Sequence, residues 1–172
     1  MELEKIITER YSVRQFKPTA LSKQDIDSIL SAGHKAPTGC NYQPQRILVL
    51  NKPESLEKLK ECTKCHFNAP TATLVCHNEQ ESWVRPYDNA LSSRVDAVIV
   101  ATHMLLKAHE IGVGCCWVMH FNPTKIKETF NIPSHVEPVA LLVMGYPAED
   151  SKPLDMHYKK RPLSEVVFYD KF

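Results

Sequence analysis

The 172-residue chain has almost no net charge, no long apolar run, and no repeated or low-complexity tract. Lysine plus arginine number 21 against 20 aspartate plus glutamate, a net charge of +1. Binding to nucleic acid or to an anionic membrane surface draws on a basic surplus, so neither partner is expected. The first ten residues hold Glu2, Glu4, Lys5, Glu9 and Arg10 and no apolar core of the signal-peptide kind. The most apolar stretch, residues 95–106, contains Asp96, Thr102 and His103 and is too short to span a bilayer. With no export signal, the six cysteines (Cys40, Cys62, Cys65, Cys76, Cys115 and Cys116) are expected as reduced thiols, and the chain as cytoplasmic. A dinucleotide-binding fingerprint is missing too. The G-x-G of Gly112-Val113-Gly114 follows a helical pattern and has Trp117 where a third glycine would stand.

What is present fits one globular domain over residues 1–172: hydrophobic residues make up 43% and charged residues 24%. A short amphipathic stretch at residues 3–7 predicts a helix, and the alternating run 10–16 predicts extended chain. Ser22 followed by Asp25 reads as a helix start, with Ile26, Ile29 and Leu30 on its apolar face and Gly33 as its stop. Strands are expected at 46–50, 71–76, 114–119 and 138–146, and a charged helix at 54–62. Residues 77–87 read as a loop or lid. The pattern from 88 to 111 is helical and, over 95–106, apolar nearly all round, which predicts burial on every side. A central core helix and a subunit interface both satisfy that pattern. Asn122-Pro123 opens a further helix with a cap and a proline at its first position. A polar tail follows Pro147, carries Pro153 and Pro162, and ends in the apolar run 166–169. The whole predicts mixed helix and strand in three layers at most.

Four groups of residues could carry chemistry. Arg10, Ser12 and Arg14 alternate along extended chain, so two guanidinium forks and a hydroxyl face one side and could grip an anion. A solvated strand face explains the same spacing. The loop 36–44, Ala-Pro-Thr-Gly-Cys-Asn-Tyr-Gln-Pro, offers the carboxamides of Asn41 and Gln43, equipped to read the edge of a heterocycle, or simply turn residues. Lys159-Lys160-Arg161 is a basic cluster or a solvated patch. Cys62-Thr63-Lys64-Cys65-His66 spells C-x-x-C-H, a haem-attachment pattern that lacks an export signal, or a zinc site if His77 joined it. Nothing else in the chain supports a closed metal site, so incidental thiols are expected.

In this order the motifs resemble the short members of the nitroreductase family. The family's R-x-S-x-R-x-F segment matches 10–16, and its A-P-S-x-x-N-x-Q-P loop matches 36–44. Its G-x-G-x-C-W, P-V-A-L-L-x-x-G-Y-P and basic-P-L-x-E-V-V segments match 112–117, 138–147 and 160–167. The resemblance spans nearly the full length. It implies an α+β three-layer sandwich, a central mixed sheet flanked by helices, in an intertwined homodimer that binds FMN between subunits. By the same resemblance Arg10, Ser12, Arg14, Lys160 and Arg161 hold the flavin from one subunit, and Pro37, Thr38, Asn41 and Gln43 from the other. Asn68 is expected near the ring. NADH or NADPH would reduce the flavin, and a nitroaromatic, quinone or other small-molecule acceptor would reoxidise it in a ping-pong cycle. Met119-His120 stands where many relatives carry glycines, which leaves the acceptor open. It also leaves open a flavin storage or sensing protein without turnover.

Overall fold

The computed structural model describes residues 2–172. Four strands form one sheet: β1 (Gln45–Leu50), β2 (Thr71–Asn78), β3 (Gly114–Val118) and β4 (Val136–Gly145), in the order β1-β2-β4-β3. Every strand pair is antiparallel. The parallel component expected of a mixed sheet is confined to one bridge between Ser12 and Cys115. Among the described residues five α-helices surround the sheet: α1 (Leu3–Glu9), α2 (Lys23–His34), α3 (Pro53–Lys60), α4 (Ser93–Glu110) and α5 (Pro123–Thr129).

Side-chain alternation along the central strands explains the layering. On β4, Ala140, Leu142 and Met144 pack with Ile29 of α2 and with Ala97, Val100 and Met104 of α4. Their neighbours Leu141 and Val143 pack on the opposite face with Leu59 of α3 and Ile126 of α5. Both faces of the sheet are therefore covered, and the three expected layers are present.

Helix starts follow local chemistry. The Ser22 hydroxyl accepts the Asp25 N–H at 3.0 Å, and the Asn122 side chain accepts the Lys125 N–H at 3.0 Å ahead of Pro123. Gly33 does not stop α2, which runs one residue further. A Cβ there would lie 2.7 Å from Met104 Cγ and 3.3 Å from Val100 Cγ1, so the glycine lets α2 approach α4 closely. The 77–87 segment is not all loop, because β2 continues through Asn78 and a turn of 3₁₀ helix covers Glu79–Glu81. The 88–111 helix starts later than expected, at Ser93.

The all-round burial expected of α4 is not met within one chain. Ala97, Val100, Ala101, Met104 and Ala108 are buried, whereas Val95 is 60% exposed and Val98 38%. The tail from Leu154 to Phe172 carries exposed Met156, Tyr158, Leu163, Phe168 and Tyr169. Its attachment includes the Tyr11 hydroxyl, which donates to the Ser151 carbonyl at 3.1 Å.

Candidate active site

The extended segment after α1 is laid against the start of β3. The Val13 N–H donates to the Cys115 carbonyl at 3.1 Å, and the buried Val13 side chain packs where a Cβ on Gly114 would lie only 2.8 Å away. With Val13 turned inward, Arg10, Ser12 and Arg14 line one cleft of about 210 Å³. Tyr11, Leu154, Met156, His157 and Lys160 complete it, so the tail supplies half of the wall. No carboxylate lines this cleft, and among the described residues neither Arg10, Arg14 nor Lys160 forms an ion pair. One Arg14 nitrogen donates to the Ser12 carbonyl at 3.1 Å; the fork otherwise remains available. Unneutralised cations converging with a hydroxyl suit a phosphate monoester. Arg161 is exposed and does not line the cleft. His157 does line it, and no sequence motif had singled it out.

The loop 37–43 lies elsewhere. Thr38 accepts the Gln43 N–H on its hydroxyl at 3.1 Å, and a single 3₁₀ turn covers Gly39–Asn41. Cys40, Asn41 and Gln43 all have positive φ (44°, 59° and 51°), a conformation that costs L-residues roughly 1 kcal/mol or more each. Buried Asp96, in the first turn of α4, helps hold the loop in place. One carboxylate oxygen accepts the Gly39 N–H at 2.9 Å and the other accepts the Ser92 hydroxyl at 2.8 Å. Pro37, Asn41 and Gln43 are exposed above this anchor, and Thr38 is partly so. Asp96 escaped the sequence reading because its partner is 57 residues away.

These two constellations sit at opposite ends of α4. Gly39 touches Asp96. Near the other end, burial first and then the Arg10 charge hold the His109 imidazole below its ordinary range, with Glu9 opposing. Thirteen residues of helix separate Asp96 from His109, a distance of about 20 Å.

Asn68 does not line the arginine cleft. Cys116 is pushed up by burial, with the Arg14 charge and a Ser12 hydrogen bond acting against that shift and Cys65 adding to it. Phe67 and Asn68 are both left-handed (49° and 50°), and Asn68 is exposed with its N–H donated to His66 Nδ1 at 3.0 Å. Among the described residues no hydrogen bond joins the Asn68 side chain to Arg14.

The C-x-x-C-H residues do not gather. Cys62 is buried with its Sγ 3.5 Å from the Thr129 hydroxyl, His66 Nδ1 is taken by Asn68, and His77 is buried 2.9 Å from the Ser93 hydroxyl. Among the described residues no group of three or more potential ligands forms a metal site.

The profile of the nitroreductase family matches residues 7–91 and 64–146. A crystal structure of a nitroreductase family protein from Clostridium difficile 630 superposes with a TM-score of 0.94 at 36% identity, covering 100% of both chains. A relative from Methanothermobacter thermautotrophicus is 28% identical over 168 residues, which cover 91% of this chain and 83% of the relative. Another, from Bacillus subtilis and named FMN reductase (NADPH), is 24% identical over 164 residues, 85% of this chain and 66% of its own length. Together with the α+β sandwich and the cationic cleft, these matches make the chain a member of the nitroreductase family.

Proposed function

We propose that the protein is an NAD(P)H-dependent FMN oxidoreductase that works as a homodimer, with each flavin shared between two chains. The carboxylate-free cleft of Arg10, Ser12, Arg14 and Lys160 carries the reading, because it fits the phosphate of a flavin mononucleotide. The names of relatives point the same way, among them FMN reductase (NADPH) and NADPH-dependent oxidoreductase. Bound FMN supplies the hydride-accepting and hydride-donating centre. Arg10, Arg14 and Lys160 neutralise the phosphate. Asn41 and Gln43 present carboxamides to a ring edge, and Asp96 keeps their loop in the left-handed conformation that exposes them.

Sharing follows from the separation along α4. In one chain the carboxamide loop is anchored at Asp96 and Arg10 lies by His109, two residues about 20 Å apart along α4. A second copy running the other way brings one chain's loop to its partner's arginines and yields two equal sites. The same arrangement would cover what one chain leaves bare: Val95 and Val98 on α4, Leu3 and Ile7 on α1, and the apolar tail. Interfaces of that kind bury on the order of 2,000 Å² or more.

The purified protein is expected to be yellow, with about one FMN per chain, and to oxidise NADH or NADPH with a quinone or nitroaromatic acceptor. A colourless protein that fails to take up added FMN overturns the reading. Bound flavin without NAD(P)H oxidation leaves a storage or sensing protein and overturns the enzymatic half.

A further inference from the structure

Among the described residues the C-x-x-C-H segment gathers no metal cluster, yet its second cysteine has a specific neighbour in space. Four of the six thiols are buried: Cys62, Cys76, Cys115 and Cys116. Cys40 is exposed and Cys65 is half-buried. Cys65 is also pinned in place. The buried Thr63 hydroxyl accepts the Cys65 N–H at 2.9 Å and donates to the His120 carbonyl at 2.5 Å. Next to it the Asn122 N–H donates to the Cys62 carbonyl at 2.9 Å. This stitch between the turn after α3 and the turn after β3 leaves Cys65 Sγ 3.9 Å from His120 Nδ1, although 55 residues separate them. Neither side chain has another hydrogen-bond partner among the described residues. His120 lines an open cleft with Lys60, Glu61 and Lys64, so its side is accessible; Lys60 is paired with Glu57 and Glu61 with Lys125, which leaves Lys64 as the lining cation without an ion pair among the described residues.

A partly exposed thiol held beside an imidazole is the arrangement that raises thiol reactivity, in contrast to a thiol that is merely exposed. We propose that Cys65 and His120 form a reactive thiol–imidazole pair whose sulfur is oxidised by hydroperoxides. In the step, His120 Nδ1 takes the Cys65 proton and the sulfur attacks the hydroxyl oxygen of the peroxide. An S–O bond forms as the O–O bond breaks. The departing alkoxide or hydroxide takes the proton back from the imidazolium. Sulfur is oxidised by two electrons to a sulfenic acid, and the peroxide is reduced to an alcohol or water. This inference does not depend on the flavin reading.

Cys40 is a reference within the same chain: it is exposed in the single chain, and among the described residues no hydrogen bond joins it to a histidine. The as-purified protein is treated with limiting hydrogen peroxide and dimedone, and the adducts are mapped peptide by peptide over time. Cys65 is expected to be labelled roughly tenfold or more faster than Cys40, as a general base within reach permits. In His120→Gln the Cys65 rate should fall by about the same factor while the Cys40 rate stays unchanged. Labelling of Cys40 as fast as Cys65, no labelling of Cys65, or an unchanged Cys65 rate in His120→Gln overturns the proposal. If His120→Gln does not fold, His120→Asn takes its place, with the same fall in the Cys65 rate as the readout.

Discussion

The Tyr146 hydroxyl donates a 2.6 Å hydrogen bond to Asp25 Oδ2, tying the end of the central strand β4 to the first turn of α2 across 121 residues. That bond is the largest influence holding the Asp25 carboxyl below its ordinary range, followed by the Ser22 hydroxyl, with slight burial opposing. The sign of the pH effect follows. A depressed carboxyl contributes stability that is complete above the ordinary carboxylate range and fades as pH falls through the lowered value. Tyr146→Phe keeps the ring and removes the donor, and is expected to cost about 1 kcal/mol at neutral pH, given partial solvent screening. Urea melts of parent and variant should differ at pH 7, and the gap should begin to close only as pH falls below the ordinary carboxylate value of about 4. A gap that persists unchanged in acid would assign the loss to packing.

Asp96 tests how far the carboxamide loop depends on its anchor. Asp96→Ala strands the Gly39 N–H and the Ser92 hydroxyl and should destabilise the protein by roughly 1.5–3 kcal/mol. Asp96→Asn retains an acceptor for Gly39 and can donate to Ser92, so it should cost less than about 1 kcal/mol. Flavin dissociation should accelerate in the same order. Identical flavin release in parent, Asn and Ala forms would remove the loop from the site.

Gly33 sets the approach of α2 to α4. Gly33→Ala gains about 1 kcal/mol of helix propensity, but it drives a methyl into Met104 and Val100, an overpacking cost of roughly 1–3 kcal/mol. The expected outcome is a net loss, and Met104→Ala, costly by itself at about 2–5 kcal/mol, should cost less in the Gly33→Ala background than alone. Thermal melts of the two single variants and the double variant measure the coupling, and additive losses would contradict the contact.

Arg14 and Gln43 test the division of the site between chains. Arg14→Ala should weaken FMN roughly ten- to a hundred-fold by removing charge-assisted bonds to phosphate, with little change for riboflavin, which has no phosphate. Equal losses for both flavins would remove Arg14 from the phosphate grip. Gln43→Ala should weaken both flavins. When Arg14→Ala and Gln43→Ala chains are unfolded together and refolded as mixed dimers, one site carries both defects and the other none. Such mixtures should regain tight binding in about a quarter of their sites, since half of randomly paired dimers are mixed. No recovery would place both residues in one chain's own site.

What could be read from the residues alone was mostly local. Ser22 and Asn122 declare helix starts because their partners lie three residues on. The period-2 spacing of Arg10, Ser12 and Arg14 carried through to a shared cleft, because Val13 between them is anchored inward on Cys115 and Gly114. The layers were legible in the apolar strands. Contacts made only after folding were not. Gly33 looks like a helix stop until Met104 is seen against it, and Asp96 looks like a flaw in an apolar helix until Gly39 is placed over it. Cys65 reads as half of a metal motif, whereas its neighbour in space is His120. In each case the deciding partner lies more than fifty residues away, beyond the reach of spacing arguments.

If the two constellations at the ends of α4 are halves of one site shared between chains, as proposed, cofactor retention is tied to the amount of protein present. If neither end of the helix holds a flavin by itself, bound FMN and paired chains stabilise one another, and each is lost when the other is. Dilution below the pairing threshold would then bleach the protein at constant temperature and pH, while added FMN would hold the chains together. A cell making little of this chain would keep it largely as colourless apoprotein. Its reducing capacity would rise more steeply than its copy number.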